Sequence, residues 1–258
     1  MKKLLPLFLS LCLLLTACGG QTSTSQVELY VFAAASMTET MDQIIALYED
    51  EAPNVTVTPT YDSSGTLLTQ IQEGADCDVF ISAAPKQINT LGEEGGLLEG
   101  TRLDLLENQV TLTVPEGNPA GIASFGQLAE RLESGNVLLA IGNSDVPVGQ
   151  YTQRIFDYYG IVEADISGCL TYGSNVKEVT AQVSEAAADC GIIYATDAFS
   201  AGLTVVDSAA AEMCGQVIYP AAVLQESQHT DTAQAFLDYV RSSAGAAVLE
   251  SVGFTPLG

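Results

Sequence analysis

Basic residues are scarce in this chain of 258: Lys and Arg number 8 against 32 Asp and Glu, for a formal charge of −24. That balance excludes a surface that holds nucleic acid or an anionic membrane face by charge. Tryptophan is absent, and the single histidine, His229, sits in a polar stretch ahead of the last predicted helix. Neither a Ser-His-Asp site nor a histidine-based metal site therefore has the material it needs. No cysteines stand at C-x-x-C spacing, which removes zinc-ribbon and thioredoxin-like readings. No glycine-rich phosphate fingerprint follows a strand. Together these absences point away from an enzyme. The composition, 47% hydrophobic and 16% charged, is that of a folded chain of about one and a half to two domains.

Long apolar runs are also missing, with one exception at the start. Lys2 and Lys3 precede an apolar stretch over 4–15 that is too short to span a bilayer and reads as an export signal, 1–17. It closes on Leu15-Thr16-Ala17-Cys18, which resembles the lipobox at which bacterial lipoprotein precursors are cleaved and their cysteine lipidated. Cys18 is thus the expected lipidation site, and the Gly/Ser/Thr-rich residues 18–26 form a tether. The body is expected to be extracytoplasmic, held at the cell membrane only through that lipid. Loss of both signal lysines leaves six basic residues and a charge of −26. Cys77, Cys169, Cys190 and Cys214 remain, as one or two disulfides or as buried thiols.

Along the body, β-rich runs at 27–32, 55–60, 78–82, 109–114, 137–141, 169–172, 191–194 and 217–224 alternate with helical patterns. Met37, Met41, Ile44, Ile45 and Tyr48 make one apolar stripe, and helices are expected over 66–73, 149–159, 176–188 and 231–250. The alternation predicts an α/β fold of two lobes, each a mostly parallel sheet flanked by helices. The chain is expected to cross between them within 109–114 and 217–224. Lobe I would then be 27–108 with 217–258, and lobe II 109–216, with a hinged cleft between. Ligands of open α/β sheets sit beyond the carboxyl ends of the strands.

The strand-to-helix turns there share one chemistry. Ser36 with Glu39 has the spacing of a capping box, Tyr61-Asp62-Ser63-Ser64-Gly65 is a turn of hydroxyls and glycine, Pro147 stands near a helix start, and Asn175 with Glu178 offers another cap. A helix N-terminus has unpaired N–H groups and about half a positive charge, so four such ends facing a cleft suit a tetrahedral oxyanion without Lys or Arg.

On Val31-Phe32-Ala33-Ala34-Ala35-Ser36, Asp78-Val79-Phe80-Ile81-Ser82-Ala83, Val146-Pro147-Val148-Gly149 and Gly191-Ile192-Ile193-Tyr194, the chain resembles the periplasmic molybdate-binding protein family, the substrate-binding components of molybdate ABC importers. The resemblance implies a two-lobed periplasmic-binding-protein fold and a monomer that passes molybdate, and with it tungstate, to an ABC transporter permease, with no cofactor. It implies that the oxyanion meets the hydroxyl and amide of Ser36 and of Ser64, the amides of Val148 and Val176, and the phenol of Tyr194, with no direct metal ligands. Ser63 is the neighbour that a shift of register would select, and Asp62 is expected to point away or cap its turn. Donors alone suit a fully ionised dianion, whereas phosphate near neutral pH carries a proton that needs an acceptor. A binding protein for another tetrahedral oxyanion such as sulfate is the alternative.

Overall fold

The computed structural model describes residues 26–257. The predicted export signal, Cys18 and the tether up to residue 25 lie outside the described residues. The first half of the chain runs β1 (Val27–Ala34), α1 (Thr38–Glu51), β2 (Val55–Asp62), α2 (Ser64–Gln72), β3 (Val79–Ile81), α3 (Pro85–Glu93), β4 (Leu103–Asn108), β5 (Val110–Val114) and α4 (Phe125–Glu133). The second half runs β6 (Leu139–Gly142), α5 (Pro147–Tyr159), β7 (Leu170–Gly173), α6 (Val176–Ser184), β8 (Cys190–Tyr194), α7 (Ala195–Ser200), β9 (Thr204–Ser208), α8 (Ala211–Cys214), β10 (Val217–Val223), α9 (Thr230–Val240), α10 (Ser243–Ser251) and β11 (Thr255–Pro256).

The strands form two sheets, ordered β11-β4-β10-β3-β1-β2 and β7-β6-β8-β5-β9. β1 pairs parallel with β2 and β3, and β6 pairs parallel with β7 and β8. The remaining pairings are antiparallel, so the sheets are mixed rather than mostly parallel. β4, β5, β9 and β10, the strands that flank the two passages, pair antiparallel with their neighbours, as does the terminal β11. The first passage falls at the first residue of the run expected to carry it, and the second lies just ahead of its run. The chain leaves the first sheet at Gln109, between β4 and β5, and returns between Ser208 and Val217, through the segment that holds α8.

The predicted apolar stripe of α1 is buried along its whole length. Tyr48 meets Phe236 edge-on at 5.2 Å between ring centroids, and Tyr239 at 5.3 Å, so α9 returns to pack on α1. The expected single helix over 231–250 is two. Ser242 accepts the Gly245 N–H and caps α10, while Gly245 packs so tightly against the Val240 carbonyl that a β-carbon would have no room. The helix expected over 176–188 ends at Ser184, before a turn in which Ala186 takes a positive φ of 52°. β4, β9, α3 and α4 were not foreseen: their patterns are short or interrupted by acids. Cys77, Cys169, Cys190 and Cys214 are free thiols. Burial pushes the Cys190 thiol up to about 12, so it stays protonated and inert. Among the described residues, no helix is long and apolar enough to cross a membrane.

Candidate functional site

Where the carboxyl ends of both sheets face each other, a small, partly open pocket lies between them, with a cavity volume of about 10 Å³. Its walls are Ala34, Ala35 and Ser36 after β1, Asp62, Ser63 and Ser64 between β2 and α2, and Ala83 after β3. Opposite stand Val146 and Pro147 at the start of α5, Val176 at the start of α6, and Tyr194 at the end of β8. No Lys or Arg is among them. Larger clefts on the outer surface, including one beside Cys77 and His229, share none of these residues.

Ser64 opens α2 with no exposed surface, and its Oγ accepts the Ala83 N–H at 2.9 Å. That bond occupies the oxygen and leaves the hydroxyl hydrogen available. Ser63 is the cap instead: its Oγ accepts the Thr66 N–H at 3.1 Å and lies 2.8 Å from the Thr66 hydroxyl. Ser36 does not form the expected capping box. It falls in a short 3-10 turn ahead of α1, whose N-cap position is Met37, and its Oγ lies 2.9 Å from the Tyr219 hydroxyl. The turn tightens the entry to α1, so the hydroxyl faces the sheet junction and not its own helix.

Tyr194 is buried, and its hydroxyl has no hydrogen-bond partner. A buried phenol left unpaired is costly, so an orphan bordering a cavity marks a place for an acceptor. Burial pushes both Tyr194 and Tyr219 well above the ordinary phenol value, so both keep their hydrogens. Tyr194 stands edge-on to Tyr219 and Tyr151, at 5.7 and 6.4 Å, which fixes its ring. The Val176 amide lies in the first turn of α6, where N–H groups have no intrahelical acceptor. Val148 has no exposed surface and is not on the cavity wall, which its neighbours Val146 and Pro147 form. Only its first-turn amide could serve.

The two sides are tied together around this space by contacts without a local sequence signal. Asp62 caps its turn, as Oδ1 accepts the Ser63 N–H at 2.7 Å, and accepts Asn175 Nδ2 from the opposite side at 3.3 Å. Asn175 is the predicted cap of α6, its Oδ1 accepting the Glu178 N–H. Gly65 packs against the Asp145 carbonyl at a distance that admits no β-carbon. Lys177 Nζ reaches Glu39 on α1, at 2.7 and 2.9 Å, and lies 3.3 Å from Asp197 Oδ1 on α7. Glu39 is three residues from Ser36, Lys177 follows Val176, and Asp197 is three from Tyr194.

Asp197 is completely buried, and burial pushes its carboxyl up to about 6 although Lys177 opposes the shift. Burial alone would lower Lys177, but Asp197 and Glu39 outweigh it and the ammonium is held above its usual value. Between about 4 and about 6 the folded protein keeps a proton on Asp197 that the unfolded chain has released, so this group's contribution to stability falls as pH rises through that window. Asp197→Asn should remove that contribution. In urea denaturation at a series of pH values, the stability difference between wild type and variant should change between pH 4 and 6 and be flat above pH 7. A flat difference throughout would mean that Asp197 titrates normally.

The sequence profile of the bacterial extracellular solute-binding proteins matches residues 29–255. The molybdate-binding protein ModA of Haemophilus influenzae is 32% identical over 260 aligned residues, covering 99% of both chains. A provisionally named ABC transporter substrate-binding lipoprotein of Bacillus subtilis, YvgL, is 30% identical over 94% of both chains. Among solved structures, the periplasmic molybdate-binding protein of Azotobacter vinelandii shares the fold with a TM-score of 0.77, at 20% identity, over 89% of this chain and all of that one. The chain therefore belongs to the bacterial extracellular solute-binding protein family, in the group that includes the periplasmic molybdate-binding proteins.

Proposed function

We propose that this protein captures molybdate, and with it tungstate, as the substrate-binding component of an ABC importer, anchored outside the cell membrane through a lipid on Cys18. One observation carries the reading: a basic-free cavity bordered by an unpaired buried phenol, by a serine whose oxygen is occupied while its hydrogen is not, and by helix starts. Ser36, Ser64, Val148, Val176 and Tyr194 are the proposed anion contacts, by hydroxyl or amide as the family resemblance implies. Lobe I, 27–108 with 217–258, and lobe II, 109–216, would close on the anion by hinging at Gln109 and at 209–216.

In calorimetric titration of the chain from residue 19 onward, molybdate and tungstate should bind alike and sulfate at least tenfold more weakly. The smaller anion would lengthen several hydrogen bonds, each worth about 1 kcal/mol. Ser36→Ala with Ser64→Ala should cut molybdate affinity by about thirtyfold, from two such bonds; unchanged affinity would sink the site, and equal sulfate binding the size selection. Gly65→Ala should also weaken molybdate tenfold or more while melting cooperatively, because its methyl group meets Asp145 only when the lobes close. Full affinity in that variant would show that closure is not needed. For the anchor, Cys18→Ala should shift the protein from the membrane fraction to the soluble one on expression in a bacterium.

A further inference from the structure

A buried chain of hydrogen bonds leads from the first passage between the sheets to the cavity wall. Asn108, the last residue of β4, accepts the Gln109 N–H on Oδ1 at 2.8 Å, which settles the orientation of its amide. Its Nδ2 must then donate both hydrogens, one to Thr196 Oγ1 at 2.9 Å and one to Tyr219 Oη at 3.2 Å. Tyr219, in β10, has no exposed surface; besides Asn108, Ser36 is the one group at normal hydrogen-bond distance from its hydroxyl, while the Tyr194 hydroxyl is near enough for its pKa to be raised by it but makes no bond of normal length. Because the phenol oxygen already accepts from Asn108, its hydrogen belongs to Ser36 Oγ. The reverse arrangement would leave the buried phenol hydrogen with only the Tyr194 oxygen, beyond normal hydrogen-bond length. Ser36 is then left in the same condition as Ser64: its oxygen is taken by the protein and its own hydrogen is free for the cavity.

We infer that Asn108 and Tyr219 are positioning residues that set the direction of the Ser36 hydroxyl, and that this direction makes the cavity discriminate against protonated oxyanions. The inference rests on the proposed oxyanion site and adds what enforces its selectivity. A serine hydroxyl left to rotate can accept as readily as donate. Without the Tyr219 hydrogen, both lone pairs of Ser36 Oγ are open to the P–OH of hydrogen phosphate; with it, one lone pair is taken and the serine hydrogen is turned toward the anion, which disfavours acceptance at this position. Thr196 stands on α7, which follows Tyr194, so the same amide links this arrangement to the opposite sheet.

The test is a calorimetric double-mutant cycle at pH 8 with molybdate and with phosphate, on wild type, Tyr219→Phe, Ser36→Ala and the double variant, each checked for cooperative melting. Tyr219→Phe should weaken molybdate about tenfold, the loss expected for one misdirected hydrogen bond. It should leave phosphate unchanged or tighter, moving the phosphate-to-molybdate ratio tenfold or more. In the Ser36→Ala background the same change should alter neither anion by more than twofold. Wild-type discrimination in Tyr219→Phe would overturn the inference, and so would an equal effect with and without Ser36, which would mean that Tyr219 acts by packing. Should Tyr219→Phe not fold, Asn108→Asp replaces it in the cycle. Its carboxylate would take the phenol hydrogen and turn Ser36 toward Tyr219, again non-additively with Ser36→Ala, whereas its added charge alone would be additive. A wild-type protein that binds neither molybdate, tungstate nor sulfate would overturn the oxyanion reading itself, and this inference with it.

Discussion

The buried amide of Asn108 offers one accepting oxygen and two N–H donors, and all three are engaged: the oxygen by the next backbone N–H and the two N–H groups by Tyr219 and Thr196. Buried polar groups tolerate few arrangements because each lost bond costs about 1–3 kcal/mol. This side chain therefore fixes, at one point, the end of β4, the middle of β10 and the start of α7. β4 and β10 are neighbours in the first sheet and flank the two passages of the chain, and α7 follows β8 of the second sheet. Ser36 and Tyr194, two hydroxyls on the cavity wall, take their places from the same packing. Tyr194 finishes the β8 strand against Tyr219, and Ser36 is held by the Tyr219 hydroxyl.

Electrostatics divides into two scales. The net charge is spread over an exterior where salt screens it within about 8 Å. Around the cavity the polarity is set by oriented N–H and O–H groups together with one carboxylate, Asp62, whose Oδ1 is already engaged. Lys177, the basic side chain closest in sequence to the candidate contacts, is engaged by Glu39 and Asp197 and so joins the two sides of the cleft. A chain with few cations can in this way keep them for structure while an anion site is made from neutral groups. Asp62 fits the same division, since its Oδ1 is occupied by the Ser63 N–H and Asn175 Nδ2.

By itself the sequence determined what periodicity and turn chemistry can determine. The eight strands expected from β-rich runs all form, each within two residues of the expected bounds. The stripe of α1, the Asn175 cap and the turns that border the cavity were equally legible, because each is a matter of neighbours a few residues apart. Only the tertiary structure decided which serine caps and which faces inward. Ser63 and Ser64 are chemically alike, and the choice depends on the Ala83 N–H arriving from another strand. It also decided that Ser36 bonds Tyr219, 183 residues away, rather than its own helix, and that Lys177 meets Glu39 from 138 residues away. No local pattern marks such partners. Asn108 ends a strand too interrupted by acids to be foreseen, and Tyr219 reads as one more core aromatic. Their roles exist only once both passages of the chain bring the two sheets together.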